Sequence, residues 1–196
     1  MLTSRPLPTQ HAGEAEEEER MRSDESATVA GLDEVAPAFM TMANRIIYCT
    51  LSTVDRRGRP RSRIVHTLWE WDGSTLVGWA GSVVTPMKRA HLQRTPYASC
   101  SYWDGAEAYD TCTAECRAEL LLDDASCRAG WERFRCTPPP LGYDPAIIPH
   151  WKDGPTSSTF GMLRLRPWHL RVFPGEFARS GGATGRVLTW QADDRG

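Results

Sequence analysis

No stretch of the sequence is apolar for long enough, free of charge, to cross a bilayer, and no hydrophobic signal core follows the first basic residue. A protein that stays in the cytoplasm, away from membranes, is the expectation. Missing too is any excess of positive charge. The 23 Lys plus Arg stand against 25 Asp plus Glu, a formal net charge of -2, so the overall basic field that nucleic-acid binding relies on is absent. Any anion site must be local. Metal-ligand spacing is lacking as well: Cys112 and Cys116 have no further Cys or His at a matching short interval, and a metal site is not expected. In the absence of a secretory signal, the six cysteines are expected to be reduced thiols. No internal repeat is visible, and 196 residues suit one domain better than two.

Aromatic residues, by contrast, are plentiful. Eight tryptophans imply a dense core, a stacking surface or both. Residues 1–31 are polar and acidic, with Glu14 and then Glu16, Glu17, Glu18 and Glu19 nearly consecutive, which reads as a disordered tail. Met21 could serve as an alternative start. The single folded domain is expected over 32–196.

Within it, Leu32, Val35, Phe39, Met42 and Ile46 recur at three- and four-residue intervals, predicting an amphipathic helix with Pro37 near its first turn. Segments rich in β-branched and aromatic residues follow. Strands are predicted at 46–54, 61–71, 75–80, 97–103 and 111–122, with turns at Asp55-Arg-Arg-Gly58 and Asp72-Gly-Ser74. A short helix at 86–93 interrupts them, and another at 125–135 is expected to take Asp123 or Asp124 as its N-cap. Pro138, Pro139, Pro140, Pro145, Pro149 and Pro155 predict a loop without regular structure over 138–159, long enough to have a task of its own. Strands resume at 160–165, 168–173 and 187–190. The class is therefore mainly β with short helices. Along 111–122, Cys112, Ala114, Cys116, Ala118, Leu120 and Leu122 share one face, which makes both cysteines core residues.

Two local features could hold an anion. Arg61 and Arg63 lie two apart on one strand face and could clamp a phosphate or carboxylate, or simply be solvated alongside Arg56, Arg57 and Arg59. The stretch from Gly81 to His91 runs small and hydroxyl residues into a helix with Pro86 in its first turn. There, free N–H groups, the Thr85 hydroxyl, Lys88 and Arg89 could converge on an anion. Equally, Thr85 could be an ordinary N-cap and the two cations surface charges.

Taken in succession, Arg59-Pro-Arg-Ser-Arg-Ile-Val-His66, a strand ending Gly78-Trp79-Ala80, Thr85-Pro-Met-Lys-Arg-Ala-His-Leu92 and Pro96-Tyr-Ala-Ser-Cys-Ser101 resemble the pyridoxamine 5'-phosphate oxidase-like FMN-binding split-barrel superfamily, over about residues 46–122. The resemblance implies a split β-barrel, a six-stranded antiparallel Greek-key barrel, in a homodimer with the cofactor between subunits. It implies that Arg63, Thr85, Lys88 and Arg89, with Arg61 as a second candidate, hold the FMN phosphate. Ile64, Val65 and His66 would follow the isoalloxazine edge, and Trp79 and Ala80 the ribityl chain. Two departures matter. Leu68 stands where the true oxidases carry Lys, and their Arg-x-His substrate signature is not reproduced near Arg166-Pro-Trp-His169.

The likeness is therefore to the flavin or deazaflavin oxidoreductase branch rather than to pyridoxamine phosphate oxidation. It implies hydride transfer between FMN and a small organic substrate, the cofactor supplying the redox chemistry. One alternative is the deazaflavin coenzyme F-420, whose acidic tail would use Arg94 or the Arg56–Arg59 cluster. Another is a non-catalytic flavin module, or a haem-binding barrel with His66 or His150 as axial ligand. The 138–159 loop, carrying Tyr143, His150 and Trp151, would be a lid or a dimer contact.

Overall fold

A computed structural model describes residues 27–105 and 109–193. The expected tail over 1–31 falls outside them except for 27–31. That last piece is not a tail: Ala27–Val29 forms a short strand, β1, paired in parallel with Val187–Gln191 (β9) at the far end of the domain.

The first helix, α1 (Leu32–Ile46), forms where the apolar periodicity predicts it. Asp33 and Glu34 in its first turn complement the helix dipole. Pro37 removes one backbone donor, yet the helix continues through it, and the Thr41 hydroxyl donates to the Pro37 carbonyl at 2.9 Å. Val35, Ala36, Phe39, Met42 and Ala43 form its buried stripe. Phe39 meets Trp69 edge-on at 4.9 Å and Tyr102 at 5.9 Å between ring centres, and burial of such a ring stabilises the fold by roughly 2–3 kcal/mol. Ile47, at φ 71°, turns the chain from this helix straight into β2 (Tyr48–Val54).

Predicted as one strand, 61–71 is two. β3 (Pro60–His66) ladders onto β2, and β4 (Leu68–Trp71) ladders onto β5 (Leu76–Val83). The break falls at Thr67, which is 2 % exposed and whose hydroxyl is hydrogen-bonded to that of Tyr102, itself the acceptor of the Trp69 indole N–H at 2.7 Å. A buried hydroxyl must find a partner, and reaching Tyr102 bends the chain from one side of the molecule to the other. After α2 (Pro86–Arg94) come β6 (Tyr97–Trp103), β7 (Thr111–Leu121), α3 (Asp124–Cys136) and β8 (Phe160–Phe173).

The segments predicted at 160–165 and 168–173 are thus a single 14-residue strand. Pro167 lacks a ladder donor, but it sits where the register against β7 shifts between Glu115 and Cys116, the kind of irregularity that admits proline. β8 pairs with β7 along its length, with β5 through its first half and with β9 through its second. The sheet therefore has nine strands in the order β1-β9-β8-β7-β6-β2-β3, with β5 and β4 branching from β8. All its ladders are antiparallel except β1 with β9. This corrects the expected six-stranded antiparallel barrel. The sheet is mixed and open: among the described residues no ladder joins β3 to β4 or β5, and the turn at Thr67 links β3 to β4 covalently instead.

Two apolar clusters fill the domain. The larger lies inside the curved sheet under α1 and includes Cys49, Cys100, Cys112 and Cys116, as the alternation along β7 requires. The smaller joins Cys127, Trp131 and Phe134 of α3 to Leu68, Trp151, Phe160 and Met162. It also corrects the reading of 138–159 as irregular. Asp144 caps a one-turn helix over Pro145–Ile147, a second spans Pro149–Trp151, and Trp151 is only 3 % exposed. A short α4 (Gly175–Arg179) leads to β9.

Candidate functional site

Three elements meet at a cleft of about 550 Å³: the inner side of β3, the end of β5 with the start of α2, and the proline-rich segment. Arg63, Ile64, Val65 and His66 line it from β3, Gly81, Ser82 and Val83 from β5, and Lys88 from α2. The proline-rich segment supplies Tyr143, Ile148 and Trp151. Openings of this size, mostly apolar with a few convergent polar groups, are typical of cofactor sites.

Its electrostatics are unusual. Arg63 donates to the Thr53 hydroxyl at 3.2 Å, and Lys88 donates to the Val83 carbonyl at 2.8 Å and to the Ser82 hydroxyl at 3.1 Å. Among the described residues neither has a carboxylate partner. Burial pulls the Lys88 ammonium below its ordinary pKa, and the Arg63 guanidinium lowers it further; burial lowers Arg63 as well. Two half-buried cations, one further lowered by the other, thus lie together with no carboxylate partner among the described residues.

Thr85 does not line the cleft but caps the helix that carries Lys88 into it. Its side-chain oxygen accepts from the Lys88 backbone N–H at 3.2 Å, the cap that orients α2, and its own hydrogen stays free to donate. The N-cap and phosphate readings are therefore compatible.

Opposite the cations the cleft is aromatic. His66 lies 5.0 Å from the Tyr143 ring at 32°, with Phe134 and Tyr48 edge-on at 5.8 and 5.5 Å. Burial lowers the His66 pKa, opposed by a hydrogen bond with the Leu141 backbone, so its neutral form is favoured, while burial raises the Tyr143 phenol to about 12. Both His66 Nε2 and Trp151 Nε1 are buried without a partner. Buried polar atoms are almost always paired, and both of these orphans belong to residues that line the cleft.

Not every expected residue is here. Arg61 turns away to Asp55, which also holds Arg59 at 2.9 Å. Trp79 donates to Glu70 at 2.8 Å beneath the Arg133 guanidinium. Ala80 has no exposure at all and belongs to the core. Arg89 lines a different groove, on the outer face of β7 and β8. Sequence reasoning gave Tyr48 no place in the site and had Gly81 and Ser82 only in the run leading into the helix, without a role of their own; the apolar-in alternation along β5 holds no sign that Ser82 faces a cation. Gly81 is small for a reason: a Cβ there would come within 2.8 Å of the Trp151 ring. His150 does not line the cleft, and no cluster of three or more metal-ligating side chains occurs among the described residues.

No family model and no curated protein matches the sequence. Solved structures do match in fold. A Clostridium acetobutylicum protein related to general stress protein 26 of B. subtilis (pyridoxinephosphate oxidase family) superposes with a TM-score of 0.59 at 11% identity, covering 81% of this chain and 95% of that one. A pyridoxamine 5'-phosphate oxidase-related, FMN binding protein from Nostoc punctiforme gives 0.52 at 16%, covering 74% and 84%. A pyridoxamine 5'-phosphate oxidase-type protein from Listeria innocua, so described only as a tentative assignment, gives 0.51 at 18%, covering 73% and 98%. At such low identity the likeness concerns architecture alone: this chain shares the fold of these pyridoxamine 5'-phosphate oxidase-related structures.

Proposed function

We propose that the cleft binds FMN and that the protein is a homodimeric oxidoreductase acting on a small organic molecule in the cytoplasm. The observation that carries this reading is the Arg63–Lys88 pair, two half-buried cations without a counter-ion at one end of an aromatic cleft. The cofactor tests well against the residues present. A phosphate supplies the missing negative charge, and Thr85 adds a hydroxyl donor. Arg89 and Arg61 would approach it only with a change of side-chain direction, and Trp79 and Ala80 play no part. The flat walls formed by His66, Tyr143 and Trp151 suit a planar ring, and the two orphan nitrogens suit its polar edge.

When bound, FMN would supply hydride transfer chemistry. The chain's own work is placement. Arg63 and Lys88 fix one end of the ligand. Ile64 and Val65 run along β3, which among the described residues ladders only with β2 and so leaves backbone groups at the sheet edge for a ring. Neutral His66 can accept or donate one hydrogen bond at Nε2. Tyr143, Ile148 and Trp151 exclude water. Exposed Tyr48, Ile64 and Ile147, at 60%, 68% and 70%, form an apolar rim around the mouth that a second subunit would cover, and light scattering that found a cofactor-loaded monomer would refute the dimer.

His66 favours a second reading. An unpartnered imidazole nitrogen in an aromatic cleft also suits a haem iron. Absorption spectroscopy of the purified protein, followed by titration with FMN, separates the readings. Flavin bands near saturation at about one equivalent support the proposal; a Soret band, a deazaflavin spectrum or no saturable FMN binding contradicts it.

A further inference from the structure

The outer face of the β7–β8 ladder is a second charged surface. Outside the register shift, Glu119 stands across from Arg164, and Glu115 across from His169. Both pairs are ionic contacts, Glu119 with Arg164 and Glu115 with His169 at 3.2 Å. Between them, Arg117 stands directly across from Arg166. Like charges directly opposite in an antiparallel pair are destabilising, and neither arginine has a carboxylate partner among the described residues. Arg89 arrives from α2 on the same side, and together these residues line a groove of about 590 Å³ with Arg164, Gln93 and Glu119. Four guanidinium groups face one carboxylate there, in a chain whose net charge is -2. Arg164 Nε is buried and unpartnered. Apolar lining comes from Leu92, Leu120, Leu122 and Pro96; Leu120 and Leu122 belong to the opposite face of the strand from Arg117 and Glu119 and reach the groove where the chain runs beyond its pairing with β6.

We infer that this groove is a second anion site, separate from the cleft, for a small ligand bearing two or three negative charges on phosphoryl or carboxylate groups, with an apolar body over the leucines. Arg117 and Arg166 present two forks side by side, the arrangement that recognises a multiply charged head. The core behind the groove keeps it distinct: Leu92 and Ala118 separate it from Lys88 and Arg63.

The test is calorimetric titration of the full chain with pyrophosphate and, in a parallel arm, with citrate, using the wild type, R117Q/R166Q and R63A/K88A. With the cleft filled by saturating FMN in the wild type and R117Q/R166Q, and its cations removed in R63A/K88A, the inference expects saturable binding of at least one anion in the wild type, weakened by about two decades in R117Q/R166Q and retained in R63A/K88A. The tighter of the two arms identifies the head group as phosphoryl or carboxylate. Because Arg117 and Arg166 repel one another in the empty groove, R166Q alone should also raise Tm by about 1–3 °C without anion and abolish the gain that anion gives the wild type. Three results would overturn the inference: no binding of either anion below about 1 mM, loss confined to R63A/K88A, or a lowered Tm in R166Q.

Discussion

The two ends of one hairpin carry arginines with opposite fates. At the turn, Arg59 and Arg61 converge on Asp55, whose side chain also accepts from the backbone N–H groups of Arg57 and Arg59 at 2.8 and 3.1 Å. The Arg59 side chain above all holds the Asp55 carboxyl well below the ordinary carboxylate range. Two residues farther along, Arg63 meets only a hydroxyl and the field of Lys88. Both ends are rich in charge, but only the second is short of an anion. What marks a binding site is charge the fold leaves uncompensated and partly desolvated, which a count of arginines does not reveal.

The largest effect should come from breaking the uncompensated pair. R63A/K88A is expected to weaken FMN binding by about two to three decades, since each charge-assisted contact is worth roughly 1.5–3 kcal/mol and the two are not fully additive. R59A/R61A, at the compensated end, should leave the affinity within about threefold, and fluorescence titration measures both. If the turn pair mattered as much as the cleft pair, the contrast would collapse. A subtler change sharpens it: R63K keeps the charge but loses the planar fork, and should cost about tenfold in the same titration.

Much of this was legible in the residues. The α1 stripe, the alternation on β7 and the Asp123 cap, which accepts from the Ser126 N–H at 2.9 Å, follow from local periodicity and capping. The split of β3 from β4 does not, because its cause is a contact between Thr67 and Tyr102, far apart in sequence. Proline content likewise predicted an open loop at 138–159, whereas Trp151 anchors that segment against Phe160 at 5.1 Å. In the site, the family resemblance implied a common ligand for Arg63, Ile64, Val65, His66 and Lys88, and all five line one cleft. It could not show that Asp55 claims Arg61, or that the strand alternation turns Ala80 into the core, since both depend on which way a side chain points.

Acid sensitivity extends the comparison. Because the folded pKa of Asp55 lies below its ordinary value of 3.8, its contribution to stability is complete above that value and fades as pH falls through it toward the lowered folded one. D55N should lose that component, flattening the low-pH limb of a urea-denaturation series; an unchanged limb would mean that the turn is not held by this carboxylate. The smallest effect belongs to His66. Its folded pKa lies below its ordinary 6.5, so the unfolded chain takes up a proton first, and stability declines as pH drops through 6.5. H66Q should remove this slope from the same series, and a slope that persisted would assign it to another group.

The central claim is that Arg63 and Lys88 grip a phosphate, and comparing FMN with riboflavin isolates that group, since the two ligands differ only there. Calorimetric titration of the wild type should show FMN binding about a hundredfold or more tighter than riboflavin, with R63A/K88A binding both alike. Equal affinities for FMN and riboflavin in the wild type would contradict the account.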